Sequence, residues 1–124
     1  MKYVKPAIYQ QLNKVHDYPV LSVPVAQSQQ YPFITYKITP VDNTEKDRED
    51  YMLEVSCWDK SESTSHSVVL GMADKTMEAL QGFRHLDENI FIMCDQLPNV
   101  GEIPDQDTEI KRYDVTTLLR TYRR

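Results

Sequence analysis

Tyr51-Met52-Leu53-Glu54-Val55-Ser56-Cys57-Trp58 is the stretch whose reading decides the fold. Tyr51, Leu53, Val55 and Cys57 fall on alternate positions, with Glu54 and Ser56 between them. Successive side chains leave a pleated backbone on opposite sides, so this period of two predicts a strand with one face on a core. Upstream, Phe33-Ile34-Thr35-Tyr36-Lys37-Ile38 is rich in β-branched and aromatic residues and predicts a strand over 33–39, ended by Pro40. Between the two, residues 41–50 set Asp42, Glu45, Asp47, Glu49 and Asp50 against Lys46 and Arg48, a charged turn. A hairpin is the simplest connection.

Working outward, Val4, Ile8, Leu12 and Val15 recur as one stripe of a helix running from Lys5 to about Val15. Pro6 fits its first turn, where a missing N–H costs nothing. Residues 16–32, with Pro19, Pro24 and Pro32, read as an irregular connector. After the hairpin, Ser61-Glu62-Ser63-Thr64-Ser65 offers N-cap candidates for a second helix reaching about Gly82. Val69, Met72, Ala73, Thr76, Leu80 and Phe83 form its expected buried stripe. Asn89 to Cys94 is a continuous apolar run, expected to be a strand buried on both faces. Residues 95–107 read as a long loop, and Thr108 to about Tyr122 as a long last strand. The expected architecture is a single α+β domain, 1–124, of order α-β-β-α-β-β. Its sheet is small and antiparallel, with a mixed sheet left open, and two helices are expected on one face.

The 124 residues are 40% hydrophobic and 27% charged, enough for one ordinary core. A net charge of −5 argues against a nucleic-acid or acidic-membrane binder. Cys57 and Cys94 form no CxxC pair and read as free buried thiols of a reducing cytoplasm. The N-terminus has no apolar signal region, and no apolar run is long enough to span a bilayer.

Catalytic constellations are sparse. His85-Leu86-Asp87-Glu88 comes nearest to a metal cluster but reads better as a solvated turn. Cys57 with His66 has the composition of a thiol nucleophile and its base, yet the alternation turns Cys57 inward. No GxSxG surrounds the serines, and three glycines form no phosphate loop. Paired acids such as Asp105/Asp107 and Glu45/Asp47 read as solvated charge runs. No catalytic, cofactor-binding or metal-binding residue is therefore expected.

Two features favour assembly instead. Eight tyrosines supply large amphipathic contact area, divided between sheet packing and interfaces. Charge is also segregated along the chain. Asp87, Glu88, Asp95, Glu102, Asp105, Asp107 and Glu109 occur with no Lys or Arg among them; then Lys111, Arg112, Arg120, Arg123 and Arg124 occur with Asp114 alone. A head-to-tail assembly uses opposite signs on neighbouring surfaces. Arg112, Arg120, Arg123 and Arg124 facing Glu102, Asp105 and Asp107 of the next subunit are the candidate interface residues.

The order of elements, the proline-led Tyr31-Pro32-Phe33-Ile34-Thr35-Tyr36, the acid-rich turn into Tyr51–Trp58, the helix with Met77-Glu78-Ala79-Leu80 and the end strand Lys111-Arg112-Tyr113-Asp114-Val115-Thr116 together resemble the tail-completion proteins of siphophages. These are also called tail-terminator or head–tail joining proteins. The resemblance covers nearly the whole chain. It implies a homo-oligomeric ring, commonly a hexamer, that caps the finished tail tube of major tail protein and meets the head connector or stopper. DNA passes through the ring without specific binding, and no membrane, cofactor or catalytic residue is implied. It also implies a place in the virion tail or neck, with assembly in the host cytoplasm. The competing readings are another neck or minor tail component, a ferredoxin-like ligand-binding or regulatory module, and a small enzyme using His85 or Cys57.

Overall fold

The computed structural model describes residues 1–41, 47–94 and 96–124. The chain runs α1 (Val4–Val15), β1 (Val20–Ser22), β2 (Phe33–Val41), β3 (Arg48–Lys60), α2 (Ser67–Leu80), β4 (Arg84–Leu86), β5 (Ile90–Met93), β6 (Asn99–Glu102) and β7 (Ile110–Arg123). The class is α+β, and the sheet is seven-stranded and mixed. Its order is β1-β2-β3-β7-β5-β4, with β6 also paired to β7.

Strands β2, β3 and β7 form the frame. β2 and β3 pair antiparallel from Phe33↔Trp58 to Val41↔Asp50, the expected hairpin. β3 and β7 pair antiparallel over thirteen positions, from Arg48↔Tyr122 to Lys60↔Ile110. The alternation in β3 holds: Tyr51, Leu53, Val55 and Cys57 are all buried. They meet Val115 and Leu119 of β7, Val4, Ile8 and Leu12 of α1, and Val69, Met72, Ala73 and Leu80 of α2 in one core. The helices reach the sheet differently. α2 lies against β3 and β7, whereas α1 packs on α2 and touches the sheet at β1.

Several boundaries differ from the sequence reading. The connector 16–32 contains β1, which pairs parallel with β2 from Val20↔Ile34 to Ser22↔Tyr36. Three residues between prolines carry too little periodicity to announce a strand; the backbone of β2 supplies the partner. Pro40 does not end β2 but lies inside it, opposite Tyr51. The N–H of Ile34 points away from β3 and donates to the Pro19 carbonyl at 2.8 Å. By alternation the Pro40 nitrogen points the same way, beyond the end of β1, so its missing donor leaves no ladder bond unmade. The charged turn is shorter than expected, because Arg48, Glu49 and Asp50 belong to β3. Residues 42–46 of that turn lie outside the described residues, as does Asp95.

No serine of the run takes the N-cap position of α2. The N-cap position is His66, with no side-chain cap; Ser63 Oγ accepts from the Ser65 N–H in the preceding turn, and Ser65 Oγ accepts from the N–H of Ser67, the first residue of α2. The other end is as read: Gly82 adopts φ +68°, the left-handed geometry that a side chain resists. β5 is buried on alternate positions, Ile90 and Ile92, rather than on both faces. Two short strands, β4 and β6, lie where a turn and a loop were expected. Both are three or four residues long and owe their pairing to β5 and β7. No helix among the described residues is long and apolar enough to cross a membrane.

Candidate functional site

The core face of the sheet is occupied, so the surfaces open to a partner are the opposite face and the edges. Register defines that outer face. Phe33 sits beside Trp58, Thr35 beside Ser56, Lys37 beside Glu54 and Thr39 beside Met52. On the other flank of β3, Trp58 adjoins Arg112, Ser56 adjoins Asp114, Met52 adjoins Leu118 and Asp50 adjoins Arg120. Met52 is 42% exposed, far above what a core methionine shows.

At one corner of this face the aromatics cluster. The Phe33 and Trp58 rings stack with centroids 5.9 Å apart, and Tyr31 tilts against Phe33 at 5.0 Å. The Trp58 indole N–H donates to Thr35 Oγ1 at 3.1 Å, so its polar atom is satisfied within the chain. The Arg112 guanidinium lies 4.6 Å from the Trp58 ring centroid. Beside this cluster lies a groove of about 280 Å³, lined by Val23, Val25, Ala26, Tyr31, Phe33 and Trp58 together with the polar Gln27, Gln29 and Thr35. In the sequence Tyr31-Pro32-Phe33 reads as the lead-in to a strand. The Phe33–Trp58 pairing that makes it a surface feature needed the register.

The candidate interface residues do not form one patch. Arg112 and Arg123 stand eleven positions apart on β7, roughly 35 Å at strand rise. Arg112 is committed within its own chain: Nε and Nη2 donate to the two Asp114 carboxylate oxygens at 2.9 and 3.0 Å. Arg123 bonds to Glu49, and Arg124 Nη1 donates to the Asp87 carbonyl at 2.9 Å. Arg120 lies on the outer face between Asp50 and Met93. Glu102, Asp105 and Asp107 are exposed, clustered at the far end near Arg112, with Lys60 Nζ 3.8 Å from Asp107. The linear charge blocks are partly undone by folding, since Asp87 and Glu49 sit beside the arginines of the other end. The Tyr51 hydroxyl and then the Arg123 guanidinium hold the Glu49 carboxyl below its usual range. The tyrosines divide as well: Tyr36 and Tyr51 are core residues, while Tyr3, Tyr9 and Tyr18 are exposed.

The other candidate chemistry is accounted for locally. His85 Nε2 and Asp87 Oδ2 are 2.8 Å apart, and Asp87 Oδ1 accepts from the N–H groups of Asn89 and Ile90. The His85 contact, with those N–H groups, holds the Asp87 carboxyl low. Cys57 and Cys94 are free and buried. Burial pushes the Cys57 thiol up to about 12, far from a thiolate nucleophile. Its polar neighbour is Thr76 Oγ1 at 4.0 Å, not His66. Thr76 in turn contacts His16 Nε2 at 2.9 Å, a polar string inside the core that the sequence reading missed. Its signal was Thr76 itself, a hydroxyl on an otherwise apolar helical stripe. Among the described residues no group of three His, Cys, Asp or Glu could hold a metal.

His16 carries a pH prediction. Burial, then Lys75, pushes it from 6.5 down to about 4, so the folded chain holds it neutral. Between those values the unfolded chain binds more protons than the folded one. Stability is therefore fully kept above about 6.5 and falls as pH drops towards 4, by at most ~1.4 kcal/mol per pH unit from this group. Urea midpoints across that range should show the loss, and His16→Gln should flatten it. An unchanged slope in the variant would remove His16 as the cause.

No protein-family model matches the sequence. No curated protein matches it either. Solved structures do. One superposes with a TM-score of 0.67 at 10% identity, covering 98% of this chain and 93% of its own. Another is a chain in the virion of a native gene transfer agent particle, with a TM-score of 0.63 at 11% identity, covering 93% of this chain and 91% of that one. This chain shares the fold of that virion chain. At such identity the likeness is one of fold, and it extends over almost the whole of both chains.

Proposed function

We propose that the chain is a non-catalytic structural protein of a phage or phage-like virion, and within that class a tail terminator. In this reading it forms a homo-oligomeric ring, commonly a hexamer, on the finished tail tube and joins it to the head connector. The observation that carries the reading is the fold shared, end to end, with a chain of a gene transfer agent virion. Exposed apolar side chains support it: Met52 on the outer sheet face, and Val23, Leu86, Val100 and Ile103 along its edges, offer contact area of the kind an assembly subunit uses. The exposed acids Glu102, Asp105 and Asp107 stand at one end of the sheet and Arg120, Arg123 and Arg124 at the other, where Asp50, Glu49 and Asp87 offset part of their charge. Arg112, held by Asp114 and Trp58, serves the subunit's own surface. Exposed ion pairs contribute about 0–1 kcal/mol each, so apolar contacts must supply most of the affinity. The chain would reside in the tail or neck, after assembly in the host cytoplasm, with DNA passing through without specific binding.

The test is to mix the protein with assembled tail tubes of its own phage and image the tips. Ring density at one tube end is the expected result. Bare ends at high protein concentration, or decoration along the whole tube, would sink the terminator reading. Binding to the connector but never to the tube would assign the chain to another neck position.

A further inference from the structure

We infer that the groove beside Trp58 receives the β6 edge of a second copy of this chain. The inference rests on the assembly reading and names the surfaces through which neighbouring copies meet. Both surfaces leave apolar side chains in water. Val23, at the groove, is 45% exposed; Leu97, Val100 and Ile103, on and around β6, are 66%, 41% and 38% exposed. β6 is also an open edge. All four of its residues are exposed, and among the described residues it pairs with β7 alone. No lysine, arginine or proline within it guards the free backbone, and such an edge invites pairing with another chain.

Their placement makes the second copy the fitting occupant. β6 pairs with β7 at residues 113–116, while Trp58 lies opposite Arg112, so both surfaces belong to the same end of the sheet. They occupy opposite sides of it: β1 and β2 flank β3, and β6 flanks β7. Each copy can therefore offer its β6 edge to one neighbour and its groove to another, a heterologous contact that repeats and closes into a ring if the rotation allows. Charge agrees with this pairing. β6 and the loop after it bring Glu102, Asp105, Asp107 and Glu109 without a cation. The groove lining carries no carboxylate, and at its flank Lys37 stands beside Glu54 while Arg112 is held by Asp114, so the acidic edge meets no unbalanced like charge there. Trp58 and Tyr31 are the rigid aromatic anchors that dominate such contacts.

Two double variants test it without touching the core. Val23→Asp with Ala26→Asp spoils the groove; Val100→Asp with Ile103→Asp spoils the edge. Sedimentation of the wild-type chain at up to millimolar concentration should show self-association, weakened about tenfold or more in each variant. Mixed together, the two variants should form a one-to-one complex and nothing larger, because one intact edge meets one intact groove and the chain of contacts then stops. Leu97→Asp, at the most exposed of these side chains, is a second edge variant should the first fail to fold by circular dichroism. A wild-type chain monomeric at millimolar concentration, a folded variant that self-associates like wild type, or a variant mixture that stays monomeric would each overturn the inference. The outcome separates from that of the virion reading. One-to-one pairing with bare tube tips keeps this contact and removes the terminator role, whereas tube-tip rings unaffected by both variants do the reverse.

Discussion

Leu80→Ala should lower unfolding stability by ~2–5 kcal/mol, the range for truncating a fully buried aliphatic side chain. Leu80 is 0% exposed, in the last turn of α2 where the helix meets the core shared with β3 and β7. The loss has two parts: the transfer free energy of the missing carbons, and a cavity that a packed interior closes only in part. Thr64→Ala is the matched control. Thr64 is exposed and precedes the true N-cap, His66, so its removal should change stability by less than ~0.5 kcal/mol. Urea unfolding of both variants with unchanged m-values is the measurement. A Leu80 effect no larger than that of Thr64 would mean that α2 does not pack as described.

Leu119→Ala should cost a similar ~2–5 kcal/mol, and Leu118→Ala about 1 kcal/mol or less. The two residues are neighbours of identical composition on β7, so the contrast isolates direction. Leu119 lies opposite Tyr51 and is 0% exposed within the core. Leu118 lies opposite Met52 on the outer face and is only half-buried. A one-residue slip of β7 against β3 would exchange their roles, because side chains alternate sides along a strand. Equal losses would therefore contradict the register, and with it the outer face on which the docking groove depends. If Leu118 is covered in the assembled ring, its truncation should weaken assembly more than folding.

The parts of the fold legible in the sequence are those with enough residues to show a period. Val4, Ile8 and Leu12 spelled out α1, the stripe from Val69 to Leu80 spelled out α2, and Tyr51 to Cys57 fixed both the existence and the facing of β3. These elements bury a face of their own, so their hydrophobic pattern must match their geometry. β1, β4 and β6 had no such obligation. They are three or four residues long, and their pairing is specified by the backbones of β2, β5 and β7 rather than by their own side chains. Pro40 shows the same limit: a proline predicts the end of a strand only when its nitrogen faces a partner, and the side it faces depends on β1.

Charge was legible as composition and not as a surface. The acidic run through Glu109 and the basic run after Lys111 are contiguous in sequence, but β7 carries Arg112 and Arg123 to opposite ends of the sheet and sets Arg123 against Glu49. By itself, the sequence determined that this chain builds one α+β core around an amphipathic strand and two amphipathic helices, because burial of those faces is dictated by residue order alone. Only the tertiary structure decided which face of the sheet stays open, that Phe33, Trp58 and Arg112 meet on it, and that β6 is left as an edge. Those depend on strand register and order, which are set by contacts between residues far apart in the chain, and no local pattern encodes them.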